Sequence, residues 1–156
     1  MKHIEASKRI VTAELVDPSA VKYSLVQRLR GAFHVETVGE GVESFSVAAA
    51  GKTGTYGFAL SVSLKSEKNR IRILIDGRND IRMGTKVFYV LSLLMVLLLS
   101  LFSDSVEATS HASGVAMNAM FFLVIGGFII YDHTKKMDEP EEILNQILDA
   151  LDVEFG

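Results

Sequence analysis

"KVFYVLSLLMVLLLSLFSDSVEATSHASGVAMNAMFFLVIGGFIIYDHTKK", Lys86 to Lys136, is the stretch whose reading decides the fold. Val87–Ser103 is 17 residues without a charge, and Ala108–Tyr131 is 24 residues without one when His111 is neutral. As a helix the first block extends about 26 Å, within the range used by membrane-spanning helices. A helix on the surface of a globular domain keeps a polar stripe. The run LSLLMVLLLSLF has polar atoms only at Ser92 and Ser100, and a serine can bond its own helix backbone. The competing reading is a buried helical hairpin, but a chain of 156 residues has little material with which to cover two such helices on all sides. The sequence therefore predicts a two-helix transmembrane hairpin over 86–132, with spans at about 86–103 and 114–131.

The flanks predict its orientation. Arg78, Arg82 and Lys86 precede the first span, Lys135 and Lys136 follow the second, and the connection between the spans has no lysine or arginine. These five candidate juxtamembrane residues place both termini in the cytoplasm and a short external loop at 104–113, in a cytoplasmic (inner) membrane with lipid around the spans. The second span carries Gly114, Ala116, Asn118, Ala119, Gly126 and Gly127. Small residues let helix backbones approach, and an Asn amide seeks a partner, so these are candidate packing positions within the hairpin or against another subunit. Neither span contains Asp, Glu, Lys or Arg, which argues against a proton relay or ion carrier.

Residues 1–85 predict a cytosolic α+β domain of order β-α-β-β-β with an antiparallel sheet. KRIVTAELV, 8–16, is rich in β-branched residues and reads as a strand. Asp17 suits a helix N-cap and Pro18 the first helical position. Val21, Leu25, Leu29 and Phe33 then recur every four residues. VESFSVAAA, YGFALSVSL and RIRILID alternate with period two, the mark of half-buried strands. HVETVG is a shorter strand that precedes or merges with the first of these. One sheet face is large and apolar; the other carries small residues such as Ala59, Ser61 and Ser63.

Residues 138–156 predict an amphipathic helix, with Pro140 near its start. Leu144, Leu148, Leu151 and Phe155 line one face and are the candidate docking residues for 1–85. Charge supports that placement. Residues 1–86 hold 14 Lys/Arg against 9 Asp/Glu, whereas 132–156 hold 2 lysines against 8 acids. An acidic polar face is poorly suited to an anionic lipid surface, and the segment is too short for a self-associating coil.

No motif supplies chemistry. SVAAAGKT, Ser46–Thr53, has Ser46 where a P-loop has glycine, and a strand pattern follows it where a helix is needed. His3, His34, His111 and His133 form no ligand pair, and there is no cysteine, so no metal or other cofactor is expected. Asp76 and Asp80 bracket a GRND segment that reads as a turn. The basic residues lack the interleaved aromatics of a nucleic-acid platform, so no nucleic acid is expected. The N-terminus, MKHIEASKRIV, is too charged for a cleaved signal. The resulting expectation is a non-enzymatic membrane protein serving as anchor, accessory or assembly subunit of a homo-oligomer or a complex with other membrane subunits. Alternatives are a tethered sensor holding a small ligand or lipid among Phe33, Phe45, Phe58 and the tail helix, or a ring-forming pore subunit.

Overall fold

In the computed structural model, residues 1–12, 16–67, 69–103 and 111–156 are described, with side chains excepted at 99–103 and 111–119. The elements are β1 (Lys2–Val11), α1 (Pro18–Ala32), β2 (His34–Val38), β3 (Ser44–Ala50), β4 (Tyr56–Glu67), β5 (Arg70–Ile81), α2 (Met83–Ser103) and α3 (His111–Phe155). They form two compact units, Met1–Arg82 with Lys136–Gly156, and Met83–Lys135.

The first unit is a five-stranded antiparallel sheet of order β1-β5-β4-β3-β2 with helices on one face. Period-two alternation turns Phe58, Leu60, Val62 and Leu64 of β4 and Ile71, Ile73 and Ile75 of β5 into the core. Val21, Leu25 and Leu29 of α1 and Leu144, Ile147, Leu148 and Leu151 of α3 close over them in one continuous cluster. α1 starts as its residues require: the Asp17 carboxylate accepts from the Ser19 N–H at 2.9 Å, and Pro18 occupies the first turn, where its missing N–H costs nothing. SVAAAGKT is the end of β3 and the turn into β4. Gly51 and Tyr56 close that turn through Gly51 N–H to Tyr56 C=O, with Gly54 at φ 68°.

Two local readings change. β1 begins at Lys2 and ends at Val11, earlier than the 8–16 pattern indicated; 13–15 lie outside the described residues. The expected turn at GRND is instead the interior of β5. Gly77 lies opposite both Ile4 and Leu60, and a Cβ there would meet Ala59 O at 2.3 Å and Leu60 Cδ2 at 2.7 Å. That glycine serves a close approach of neighbouring strands, which a sequence read alone confuses with a turn.

The tail is not a separate helix starting near Pro140. The helix runs through 132–138 and carries Pro140 in its interior. Proline has no N–H to give the carbonyl four residues back, here that of Lys136. Asn79, fully buried on β5, supplies the replacement: its Nδ2 donates to Lys136 O at 3.0 Å and Met137 O at 3.2 Å.

The transmembrane part of the expected fold, and with it the two-pass inner-membrane location with cytoplasmic termini, is not supported. Among the described residues no helix is long and apolar enough to cross a membrane. Residues 104–110 of the expected external loop, and the side chains of 99–103 and 111–119, lie outside the described residues. What the structure has is an α+β fold with a five-stranded antiparallel sheet and three helices.

The Asn79 clamp makes a testable coupling. Asn79→Ala removes the side-chain donor of the Lys136 carbonyl and should lower unfolding free energy by about 1–3 kcal/mol. In a Pro140→Ala background Lys136 O regains a helical N–H, so the same Asn79→Ala change should cost measurably less. Denaturant melts of the two singles and the double check it; strict additivity would show that the amide does not stand in for the missing proline donor.

Candidate interaction surfaces

Three surfaces are built by these elements. The first is where α3 meets the sheet. Leu144, Leu148 and Leu151 are buried in the core cluster, and Phe155 packs partly buried at its margin. Around this apolar seam the acids of α3 meet bases of the front. Lys2 Nζ donates to Asp138 at 2.9 Å and Glu141 at 2.6 Å. Lys8 Nζ lies 2.8 Å from Asp149 and 3.2 Å from Asp152. Arg28 and Ser24 of α1 donate to Glu154 at 2.7 and 2.8 Å. The Glu141 hydrogen bond, then that of Asp138, holds the Lys2 ammonium above its ordinary pKa. The Arg28 hydrogen bond, then that of Ser24, holds the Glu154 carboxyl below its own. Tyr56, buried beneath the start of this segment, has its phenol pushed well up, first by burial and then by the Glu139 carboxylate.

The second surface belongs to the Met83–Lys135 unit. Tyr89 donates its hydroxyl to Asp132, joining α2 to α3. Tyr89 and Val96 are buried, but the other large side chains among the described residues of this unit are not. Phe88 is 64% exposed, Leu123 77%, Phe128 65% and Ile130 69%. Ser92 bonds back to Phe88 O at 2.9 Å, so even this hydroxyl is turned into its own helix. Gly126 and Gly127 face open space: a Cβ at either would meet nothing within 4 Å. Gly114, Ala116, Asn118 and Ala119 lie on the helical backbone of α3, and their side chains are outside the described residues.

The third surface is the uncovered sheet face. Ala59 and Ser61 are exposed and Ser63 half-buried, paired across the sheet with Ala48, Ser46 and Ser44. The expected basic residues separate. Arg78 stands on this face opposite His3 and Ala59. Arg82 bonds Glu36, and its N–H reaches Thr55 O at 3.0 Å. Lys136 gives its carbonyl to Asn79. Lys86 and Lys135 are exposed side chains of the other unit.

Among the described residues no group of His, Asp or Glu could hold a metal ion. Phe33, Phe45 and Phe58, the proposed walls of a ligand pocket, are core side chains, and Phe33 meets Phe58 edge-on at 4.7 Å between ring centroids. A shallow groove of about 300 Å³ does open along α1, between Tyr23 and Val42. No carboxylate, histidine or cysteine lines it. Its lysine, Lys22, is occupied: Nζ donates to Gly39, Glu40 and Gly41 carbonyls at 2.8, 3.2 and 2.7 Å and lies 4.8 Å over the Phe45 ring. Sequence reasoning gave Asn79 no role and placed Lys22 only on the basic outer face of α1; both act on backbone carbonyls distant in sequence, which no periodicity marks.

No family model matches the chain, and no curated protein or solved structure is similar to it.

The ion pairs around α3 give a pH signature. Glu154 has a lowered folded pKa, so its contribution is complete above its ordinary value of 4.5 and is lost as pH falls through the lower folded value. Lys2 has a raised folded pKa, so its contribution is complete below 10.5 and is lost as pH rises through the higher folded value. Both groups are well solvated, so each effect is small. Amide protection factors of α3 from Lys136 onward, taken relative to the intrinsic exchange rate at each pH, should be highest between these limits and fall at both, and Arg28→Gln should remove the acid-side change. An α3 whose protection ignores both limits would contradict this account.

Proposed function

We infer that this chain is a non-enzymatic assembly or accessory subunit, a component of a homo-oligomer or of a larger protein complex. One observation carries the reading. Both helices of the Met83–Lys135 unit present large apolar side chains, Phe88 and Met95 on α2 and Leu123, Phe128 and Ile130 on α3, each more than half exposed. Folded monomers rarely leave contiguous apolar areas beyond a few hundred Å² open to water. Burying such a surface gains roughly 25 cal/mol per Å², which favours association over a free monomer.

The chemistry elsewhere is consistent. Several polar groups of the other unit hold α3 in place: Lys2 and Lys8 of β1 and Arg28 of α1 bond its acids. The core phenylalanines, packed into one cluster, leave the ligand-sensor reading without its pocket walls.

Native mass spectrometry of the full chain, kept in mild detergent so that the apolar helices do not aggregate, tests the reading. A defined oligomer or a stoichiometric complex is expected. Phe128→Glu together with Leu123→Glu should lower its order while leaving the melting transition of the sheet unit in place. A lone monomer at micromolar concentration, with no companion chain, refutes it.

A further inference from the structure

The two edges of the sheet are built differently. β2 is 5 residues long, and its pairing with β3 shifts register between Val35 and Thr37. The residue at that irregularity, Glu36, is bonded by Arg82. Short length, a bulge and a fixed charge are the usual ways of closing an edge to further strands. β1 is neither short nor bulged, and its fixed charges, Lys2 and Lys8, share the face of Ile4, Ala6 and Ile10 and are held by acids of α3. It is 10 residues long, contains no proline, and keeps an unbroken register with β5 from Lys2 to Val11.

The direction of its backbone groups follows from one bond. Thr12 N–H donates to Asn69 O at 2.9 Å, continuing the β1–β5 register. Alternation then turns the even-numbered residues of β1 toward β5. His3, Glu5, Ser7, Arg9 and Val11 turn their N–H and C=O groups to the open edge. Among the described residues, no other strand pairs there.

The side chains beside that edge carry an unusual charge order. On the uncovered face Glu5 stands directly opposite Asp76, while Arg9 stands opposite Arg72, which itself stands opposite Lys65. Like charges directly across a sheet are destabilising. Among the described residues, Glu5, Arg9, Arg72 and Lys65 form no ion pair; Asp76 meets His3 at 3.5 Å. An acidic row and a basic row therefore reach the free edge two residues on either side of Ser7.

We propose that β1 is a self-pairing edge: two copies of the chain join β1 to β1 antiparallel about a two-fold axis at Ser7, making a ten-stranded sheet. With Ser7 opposite the partner's Ser7, Glu5 falls opposite the partner's Arg9, and Arg9 opposite the partner's Glu5. Each acidic row then abuts a basic row, so that both in-chain repulsions acquire an opposite charge on their open side. On the core face the same register sets Ile4 opposite the partner's Ile10. Moving the axis to Ala6 would instead set His3 against Arg9 and Ile4 against Lys8. A two-fold contact is self-complementary by necessity, and this register is so in its charges, with Ile4 and Ile10 paired and Ala6 set opposite the partner's Lys8 on the core face. The inference rests on the assembly reading and names one of its contacts, distinct from the apolar helices.

The test uses the full chain, which has no cysteine of its own. At the axis a hydrogen-bonded pair brings Cα atoms to about 5.5 Å, within disulfide reach. Ser7→Cys should form a covalent dimer on mild oxidation, and Thr37→Cys on the opposite edge should not. Adding Glu5→Arg to the Ser7→Cys chain should slow cross-linking about tenfold, without lowering the melting temperature, because Arg at 5 faces Asp76 favourably within the chain. The further exchange Arg9→Glu should restore the rate. Native mass spectrometry of the same samples separates the failures. An oligomer that does not cross-link at position 7, or a double exchange that fails to restore the rate, overturns the β1 contact and leaves the assembly reading standing. A monomer overturns both.

Discussion

One side-chain amide lets a single helix belong to the sheet. α3 contains a proline at 140, and the Lys136 carbonyl consequently has no helical donor. A bare carbonyl in the interior costs on the order of 1–3 kcal/mol. Asn79 removes that cost from the sheet side, reaching both Lys136 and Met137 from a position with no solvent exposure. The bond also fixes where along the sheet the helix lies. With residues 136 and 137 held at β5, the next turns bring Leu144, Leu148 and Leu151 over the apolar face at intervals of three or four. Asp138 and Glu141 then meet Lys2, and Asp149 and Asp152 meet Lys8, one lysine at each end of β1.

Apolar burial and electrostatics divide the work within that seam. The leucines of α3 supply the energy: truncating a buried leucine to alanine typically costs about 2–5 kcal/mol. Solvated ion pairs give about 0–1 kcal/mol each, too little to hold a helix. Their value lies in direction and register, since acids at both ends of the docked segment, Asp138 and Glu141 near its start and Asp149 and Asp152 further on, meet fixed bases. A helix slipped by one turn would keep much of its apolar contact and lose these pairs.

The parts of this fold that were legible in the sequence are those written in periodicity. Alternation at 56–64 and 70–75 marks the side chains that the structure buries, and Asp17-Pro18 marks the start of α1. Residues whose usual local meaning is overridden by tertiary contact were misread. Asp76-Gly77 has turn chemistry, but Gly77 is needed where β5 passes close to Leu60 and Ala59. Pro140 resembles a first-turn proline because its rescue by Asn79 is separated by 61 positions in the chain. The apolar runs at 87–103 and 115–131 dictate helices, but composition alone did not settle what surrounds them. Among the described residues no helix is long and apolar enough to cross a membrane. The charge asymmetry between front and tail was visible in the counts; the identity of each pair was not, because it depends on helix phase and sheet register together.

Placing both helices on one side of the sheet has a consequence for the other side. Side chains there pack against nothing from the helices, so selection for volume is absent and small residues are tolerated: Ser44, Ser46, Ala48, Ala59, Ser61 and Ser63. What such a face retains is charge order, since cross-strand neighbours interact whether or not the face is covered. The paired acids Glu5 and Asp76, and the run Arg9, Arg72, Lys65, raise the energy of the isolated sheet slightly. Random solvated surfaces gain nothing by keeping like charges in register, and any of these positions could change sign without touching the core. The order acquires a physical rationale when the row is continued across the open edge, where the sequence of signs along β1, acid then base about Ser7, is its own complement on reversal.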